Sequence, residues 1–338
     1  MQQTTLHIST SPHLSKGVST VGIMQNVVWA LIPVSLFAVY AFGWSALLVL
    51  LATTGSAVLT EHMICRWSGK TSTVDDWSAV ITGLLLGLTL PPAFPLWMAI
   101  IGSVVAIAVG KMAFGGLGKN VFNPALVGRA FLQAAFPVAI TTWSPAFAPE
   151  RLQSLHPSTM AAPFMQPAVD GMSGATPLSA FKFEGINTNT MELAMGQVSG
   201  SIGETSALLI LLGGLYLIWR GMMDWRIPAG ILLSVAILSA LFFAIDPVSY
   251  PAPGFMLFAG GLMLGAMFMA TDMVASPMTN AGIWIYGAFI GTLIFVIRIW
   301  GGLPEGIMYA ILLGNALSPH LDKLVPRRVY GHLKTKKS

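Results

Sequence analysis

The sequence has 338 residues, of which 55% are hydrophobic and 9% are charged, with a formal net charge of +4. Soluble domains carry about 25% charged residues, so the composition excludes an ordinary soluble protein and predicts an all-α polytopic membrane protein. The single cysteine, Cys65, excludes an internal disulfide and cannot ligate an iron–sulfur cluster alone. Six scattered histidines show no metal-site spacing, so we expect no metal. The positive charge comes largely from the C-terminal tail and is typical of membrane topology, so we expect no nucleic-acid partner.

About ten apolar runs are long enough to predict transmembrane helices. The N-terminus is polar and lacks the features of a cleavable signal, so we expect the mature chain to begin near Met1. Five predicted helices precede a long polar loop and five follow it. They lie near residues 21–42, 44–65, 77–90, 95–114 and 120–137, and then near 204–220, 226–245, 253–270, 282–300 and 304–319.

Five helices on each side of the loop predict two inverted five-helix repeats, as in many transporters. Similar glycine-rich segments recur in the two halves at matching places, although chance coincidence of Gly and Leu would also explain them. The chain then divides into a first repeat (1–137), an extracytoplasmic loop (138–203), a second repeat (204–319) and a basic cytoplasmic tail (320–338). The matches pair Gly83–Gly87 with Gly261–Gly265, Gly115–Leu117 with Gly301–Leu303, and Leu126, Gly128 and Ala130 with Leu312, Gly314 and Ala316.

Basic residues near the helix ends predict the orientation, because cytoplasmic loops carry an excess of Lys and Arg. With both termini cytoplasmic, one side collects most of these residues, and the long loop lies outside, in the periplasm of a Gram-negative cell. The cytoplasmic set is Lys16, Arg66, Lys70, Lys111, Lys119, Arg220, Arg226, Lys323, Arg327, Arg328, Lys334, Lys336 and Lys337.

The loop contains the run D-G-M-S-G-A-T-P-L-S-A-F-K, from Asp170 to Lys182. Its centre is Thr176, which has small neighbours before it and Pro177 after it, so we expect an exposed hydroxyl that is open to modification. The alternative is an ordinary surface turn, which uses the same residue types. Asp170 would either help a modifying enzyme to recognise the site or start an Asx-type turn.

The run resembles the flavinylation site of membrane subunits that carry FMN on a threonine through a phosphoester bond, in the Rnf complex and in the sodium-pumping NADH:quinone oxidoreductase. The residues that carry this resemblance are Asp170, Gly171, Ser173, Gly174, Ala175, Thr176, Pro177 and Leu178. The whole chain is similar to the RnfD component of the Rnf (Rsx) complex, through segments including Thr82–Pro92, Gly115–Ala125, Met269–Asp272, Tyr309–Leu313 and Arg328–His332. Met273 departs from the proline that the family more often has after the Asp.

The resemblance implies a relay subunit, not catalytic alone, in a bacterial inner-membrane complex that couples electron flow between NADH and ferredoxin to sodium or proton transport. It implies covalent FMN on Thr176, attached by a flavin transferase, a second and non-covalent riboflavin, and the other complex subunits as partners alongside membrane lipid. Phe181 and Phe183 are available either to stack on the flavin ring or to pack in the ordinary way.

Ionisable residues in or beside the predicted helices are candidates for an ion path, although structural salt bridges explain them equally well. We single out Asp272, Glu305, Lys119 and Arg129, and the wider set adds Asp76, Lys111, Asp246 and Arg298. Two other functions stay open at this point: a quinone-reducing homologue, and a small-solute transporter or channel built on the same repeat.

Overall fold

The computed structural model describes residues 19–163, 165, 175–204, 206–247 and 249–324, and all regular structure in these ranges is helical. The α-helices are α1 (Thr20–Phe42), α2 (Trp44–Trp67), α3 (Ser78–Leu88), α4 (Leu96–Ala108), α5 (Pro124–Ala135), α6 (Pro137–Ile140), α7 (Pro177–Ser179), α8 (Thr190–Met195), α9 (Ala207–Trp219), α10 (Arg226–Ile245), α11 (Pro253–Phe258), α12 (Leu262–Leu264), α13 (Asn280–Trp300) and α14 (Ile307–Leu324).

Within these ranges, five helices are long and apolar enough to cross a membrane. They are α1, α2, α10, α13 and the stretch Leu96–Phe114, which begins with α4. The apolar helices α3 and α9 are shorter. The protein is therefore a multi-pass membrane protein, and each of the ten predicted apolar runs contains helix.

The run 253–270 is not the single helix that the sequence predicts. It forms α11, then α12 after a break, and then a π-helical turn at Gly265–Met269. The break lies at Ala259, whose backbone is extended, and at Gly260, whose φ is +64°. An α-helix needs a negative φ at every residue, so the chain cannot continue as one helix through this point.

Two groups of helices pack in a similar order. The helix α2 contacts α3 and α4, and α4 contacts α5; further along the chain, α10 contacts α11 and α13, and α13 contacts α14. The helices α1 and α9 pack against each other and join the groups. One continuous apolar core runs through both groups.

Short helices in the described part of the loop pack on the membrane helices. Leu178 of α7 and Leu193 of α8 are buried with Phe255 and Ala259 beside α11. A 3₁₀ turn at Pro157–Met160 and a π-helical turn at Ala180–Glu184 complete this region. The described part of the loop therefore covers one end of the helices.

Close approach of α3 to α2 depends on Gly83. A Cβ atom added there would lie 2.5 Å from Thr54 Cα and 2.7 Å from the Thr53 carbonyl oxygen. These are backbone atoms and cannot move aside without displacing the helix. Small residues serve the same purpose at many membrane helix contacts, where they let two backbones approach.

We expect Gly83→Ala to destabilise the protein by about 1–3 kcal/mol, the usual cost of overpacking a tight core. The matched control is Gly55→Ala, at an exposed position of α2 where an added Cβ meets nothing within 4 Å. Thermal unfolding of the purified protein in detergent checks both variants. Equal melting temperatures for the two would contradict the packing that we describe.

Candidate functional site

Thr176 precedes α7 and caps it. The Ser179 backbone N–H donates to Thr176 Oγ1 at 3.2 Å, and the two hydroxyls lie 3.0 Å apart. Threonine is a favoured N-cap residue because its oxygen satisfies an N–H of the first helical turn. The expectation of an exposed hydroxyl is wrong, since the residue is only 2% exposed. Packing of the following Pro177 and Leu178 into the interior buries Thr176 with them.

Thr176 borders a cavity of about 350 Å³. Its walls combine aromatic side chains with one cation and one carboxylate, a mixture typical of cofactor sites, which measure roughly 300–1,000 Å³. The residues that carry this character are Trp143, Thr176, Ser179, Phe183, Tyr309, Arg129 and Glu305.

The two predicted stacking phenylalanines have different surroundings. Phe183 borders the cavity and is 68% exposed. Phe181 packs on Phe255 with ring centroids 5.4 Å apart and belongs to the small core beside α11. Only Phe183 is therefore placed to contact a ligand in the cavity.

The predicted motif lies partly beyond the described ranges, which do not include Asp170, Gly171, Ser173 and Gly174. Ala175 borders the cavity, and its carbonyl accepts from Ser199 Oγ at 2.8 Å. Pro177 and Leu178 are both buried.

A charged cluster forms one wall of the cavity. Arg129 of α5 donates through Nη2 to Glu305 Oε2 at 2.9 Å and through Nη1 to the Thr89 carbonyl at the end of α3. Glu204, which precedes α9, lies against Glu305 and is 9% exposed. Burial, together with the nearby Glu305 charge, raises the pKa of Glu204 to about 8.

Two further cations hold helix ends near the cavity. Lys182 Nζ donates to the Arg298 carbonyl in the last turn of α13, at 2.9 Å, and to the Leu303 carbonyl beyond that helix, at 3.2 Å. Desolvation lowers the pKa of Lys182. Arg298 donates to the carbonyls of Met256 at 2.6 Å and Ala259 at 2.8 Å, at the end of α11. Cations are favourable at helix C-termini because the carbonyls there lack helical partners.

The four residues singled out for an ion path do not form one site. Arg129 and Glu305 pair with each other. Asp272 accepts from Asn120 Nδ2 at 3.2 Å and borders a different cavity of about 110 Å³. Lys119 is exposed.

Sequence reasoning missed Glu61 and Glu204. Glu61 is fully buried in α2, where both carboxylate oxygens accept from Lys111 Nζ, at 2.6 and 2.8 Å. From the sequence, Lys111 is both an ion-path candidate and one of the basic residues that predict the orientation. In the structure Glu61 neutralises the charge of Lys111 inside the protein. An acidic residue within or at the start of an apolar run is the signal that could have identified both glutamates.

Comparisons with known proteins agree with this architecture. The family model described as NQR2, RnfD, RnfE matches residues 7–331. The chain is 42% identical to a subunit of the Na⁺-translocating ferredoxin:NAD⁺ oxidoreductase complex of Acetobacterium woodii, over 100% of this chain and 99% of the relative. It is 41% identical to a subunit of the proton-translocating ferredoxin:NAD⁺ oxidoreductase complex of Clostridium ljungdahlii, over 96% of both chains. The chain therefore belongs to the NQR2, RnfD, RnfE family.

Proposed function

We propose that this protein is the flavin-carrying membrane subunit of an ion-translocating ferredoxin:NAD⁺ oxidoreductase complex, with FMN joined to Thr176 by a phosphoester bond. One observation carries the proposal: Thr176 borders a cavity of cofactor size with aromatic and cationic walls. The activity that we propose for the complex is the one given in the names of the relatives.

The residues around the cavity suit such a cofactor. Trp143, Phe183 and Tyr309 offer aromatic faces for a flat ring, and Arg129 offers a positive charge for a group that gains electrons. The ester oxygen of Thr176 would keep a lone pair for the Ser179 N–H. Bound FMN would supply reversible electron transfer, which none of these side chains provides alone.

The rest of the electron path belongs to partners. The sequence contains neither an NAD fingerprint nor a cluster motif, so NADH, ferredoxin and iron–sulfur centres would be handled by other subunits of the complex. A flavin transferase would attach the FMN, and membrane lipid would surround the long apolar helices.

We extend the proposal to a second, non-covalent riboflavin among the helices, as the resemblance implies. The cavity beside Asp272 does not fit it as it stands, because about 110 Å³ is smaller than the range for such ligands. We therefore assign no contacts to it. Asp272, with its partner Asn120, is the better candidate for an ion path, since Arg129 and Glu305 already form an ion pair with each other.

We also propose the inverted repeat and the orientation. The matched packing of α2 with α3 and α4, and of α10 with α11 and α13, supports two equivalent halves. Four basic residues lie at or just beyond helix ends and support a cytoplasmic location for those ends: Arg66 in the last turn of α2, Lys70 after it, Arg220 after α9 and Arg226 at the start of α10. Thr176 would then lie on the periplasmic side.

The covalent flavin is tested with Thr176→Val, which keeps the shape of the side chain but lacks the hydroxyl. We expect the fluorescent band of the denatured wild-type protein, made together with a flavin transferase, to disappear completely in this variant. Loss of the N-cap should cost only about 1 kcal/mol of stability, so the protein should still accumulate.

Thr159→Val is the matched control, because Thr159 is a buried threonine elsewhere in the same loop. We expect it to retain the fluorescent band. A dark wild-type band beside a labelled partner flavoprotein would overturn the assignment of Thr176. Equal loss of fluorescence in both variants would point to misfolding of the loop instead.

The orientation is tested by labelling introduced cysteines with a membrane-impermeant maleimide, in a Cys65→Ser background. We expect Met160→Cys, in the loop at a position that is 65% exposed, to react from the periplasmic side. Lys70→Cys, after α2, should react only when the inner membrane is permeabilised. The reverse pattern would contradict the orientation.

A further inference from the structure

Glu204 and Glu305 form a buried pair of acids where two segments of chain meet. Glu204 ends the 3₁₀ turn Ile202–Glu204, before α9, and Glu305 lies between α13 and α14. The side chains are within hydrogen-bonding reach of each other. Glu305 also borders the Thr176 cavity, so the pair connects the cavity wall to the protein interior.

The hydrogen bonds of this pair are incomplete when both acids are ionised. Oε2 of Glu305 accepts from Arg129, but Oε1 is buried and has no donor among the described residues. An ionised carboxylate can only accept, so two ionised carboxylates cannot bond to each other. One proton between them supplies the missing donor and removes the repulsion of two like charges.

We propose that the Glu204–Glu305 pair is a proton-binding site beside the Thr176 cavity, holding one proton between the two carboxyls at neutral pH. Its ligand is a proton from water, and binding makes or breaks no bond to any cofactor. The site lies at helix ends and is separate from the Asp272–Asn120 contact.

The surroundings of the pair allow one proton to be held without leaving a large net charge. The cations that face it are Arg129 from α5 and Arg298 from α13. The helices α1 and α3, which also pack on Ile202–Glu204, carry no carboxylate or cationic side chain. Ser201 gives Glu204 a further hydrogen bond. Burial acts in the same direction as the repulsion, and burial together with the Glu305 charge raises the pKa of Glu204 to about 8.

The pair also gains a role that rests on the proposed function. An electron placed on a group in the cavity adds negative charge next to Glu305, which increases the affinity of the pair for its proton. Removal of the electron decreases that affinity, and the proton returns to water. Each cycle takes one electron from a donor subunit of the complex and passes it to an acceptor subunit, while one proton is taken up from water and one is released to it, so electrons and protons both balance.

The experiment follows the carboxyl C=O stretch by infrared spectroscopy over about pH 6 to 10, first in Thr176→Val, which has no covalent flavin. We expect a protonated-carboxyl band that is lost with a midpoint near pH 8. The band should be missing in Thr176→Val/Glu204→Gln. It should remain when Glu192, an exposed acid of the same loop, is replaced by Gln in that background.

Thermal unfolding provides a second readout. The pKa of Glu204 is raised in the folded state from 4.5 to about 8, so the folded protein binds the proton more tightly. Stability from this group is therefore present at low pH and lost as pH rises to about 8. We expect Glu204→Gln to remove this decline. If that variant does not fold, Glu305→Gln is used instead, and the midpoint of the Glu204 band should move to lower pH.

Absence of the band, or its survival in Glu204→Gln, would overturn the proton site. A band that titrates as expected in protein without flavin supports the site even if Thr176 carries no FMN, so the two proposals fail separately. In flavin-loaded wild type, chemical reduction should raise the midpoint of the band. An unchanged midpoint on reduction would overturn the link to the cavity alone.

Discussion

The fold depends on hydrogen bonds to the last backbone carbonyls of helices that end inside the protein. The last carbonyls of a helix have no helical partner, and water is scarce in a membrane interior. Among the described residues, three cations meet this need: Arg129 at the end of α3, Arg298 at the end of α11, and Lys182 at the end of α13. These bonds allow short and broken helices to replace continuous spans, and they fix where the segments between helices lie.

Buried cations in turn require negative charge nearby. Glu305 pairs with Arg129, and Glu204 lies against Glu305 with Arg298 close enough to influence both acids. The acids therefore lie where helix ends meet, and this is also where the loop packs with Thr176. The polar wall of the cavity therefore consists of charged residues that lie where the helices end. Glu61 and Lys111 form a buried ion pair in the same way. Glu61 belongs to α2, and Lys111 lies in the stretch after α4.

The sequence predicted the helical runs well, because an apolar run of span length has few alternatives in a membrane protein. It did not predict the break in 253–270, since the chain there stays apolar and the break lies in the backbone angles of Ala259 and Gly260. The motif singles out Thr176 as a candidate but does not predict its burial, which comes from packing of Leu178 against residues that are distant in sequence. Glu204 was missed because its importance comes from Glu305, about one hundred positions away, and no local pattern records such a partner.

The burial of Thr176 has a consequence for the order of events during biogenesis. A side chain that is 2% exposed cannot enter the active site of a second protein. If Thr176 carries FMN as we propose, the transferase must therefore act while the loop is still open, before α7 and α8 settle beside α11. Attachment and closure then become competing processes in time. A chain whose loop closes first would be well folded, permanently unmodified and beyond repair by the transferase, so the rate of closure would set the yield of functional protein.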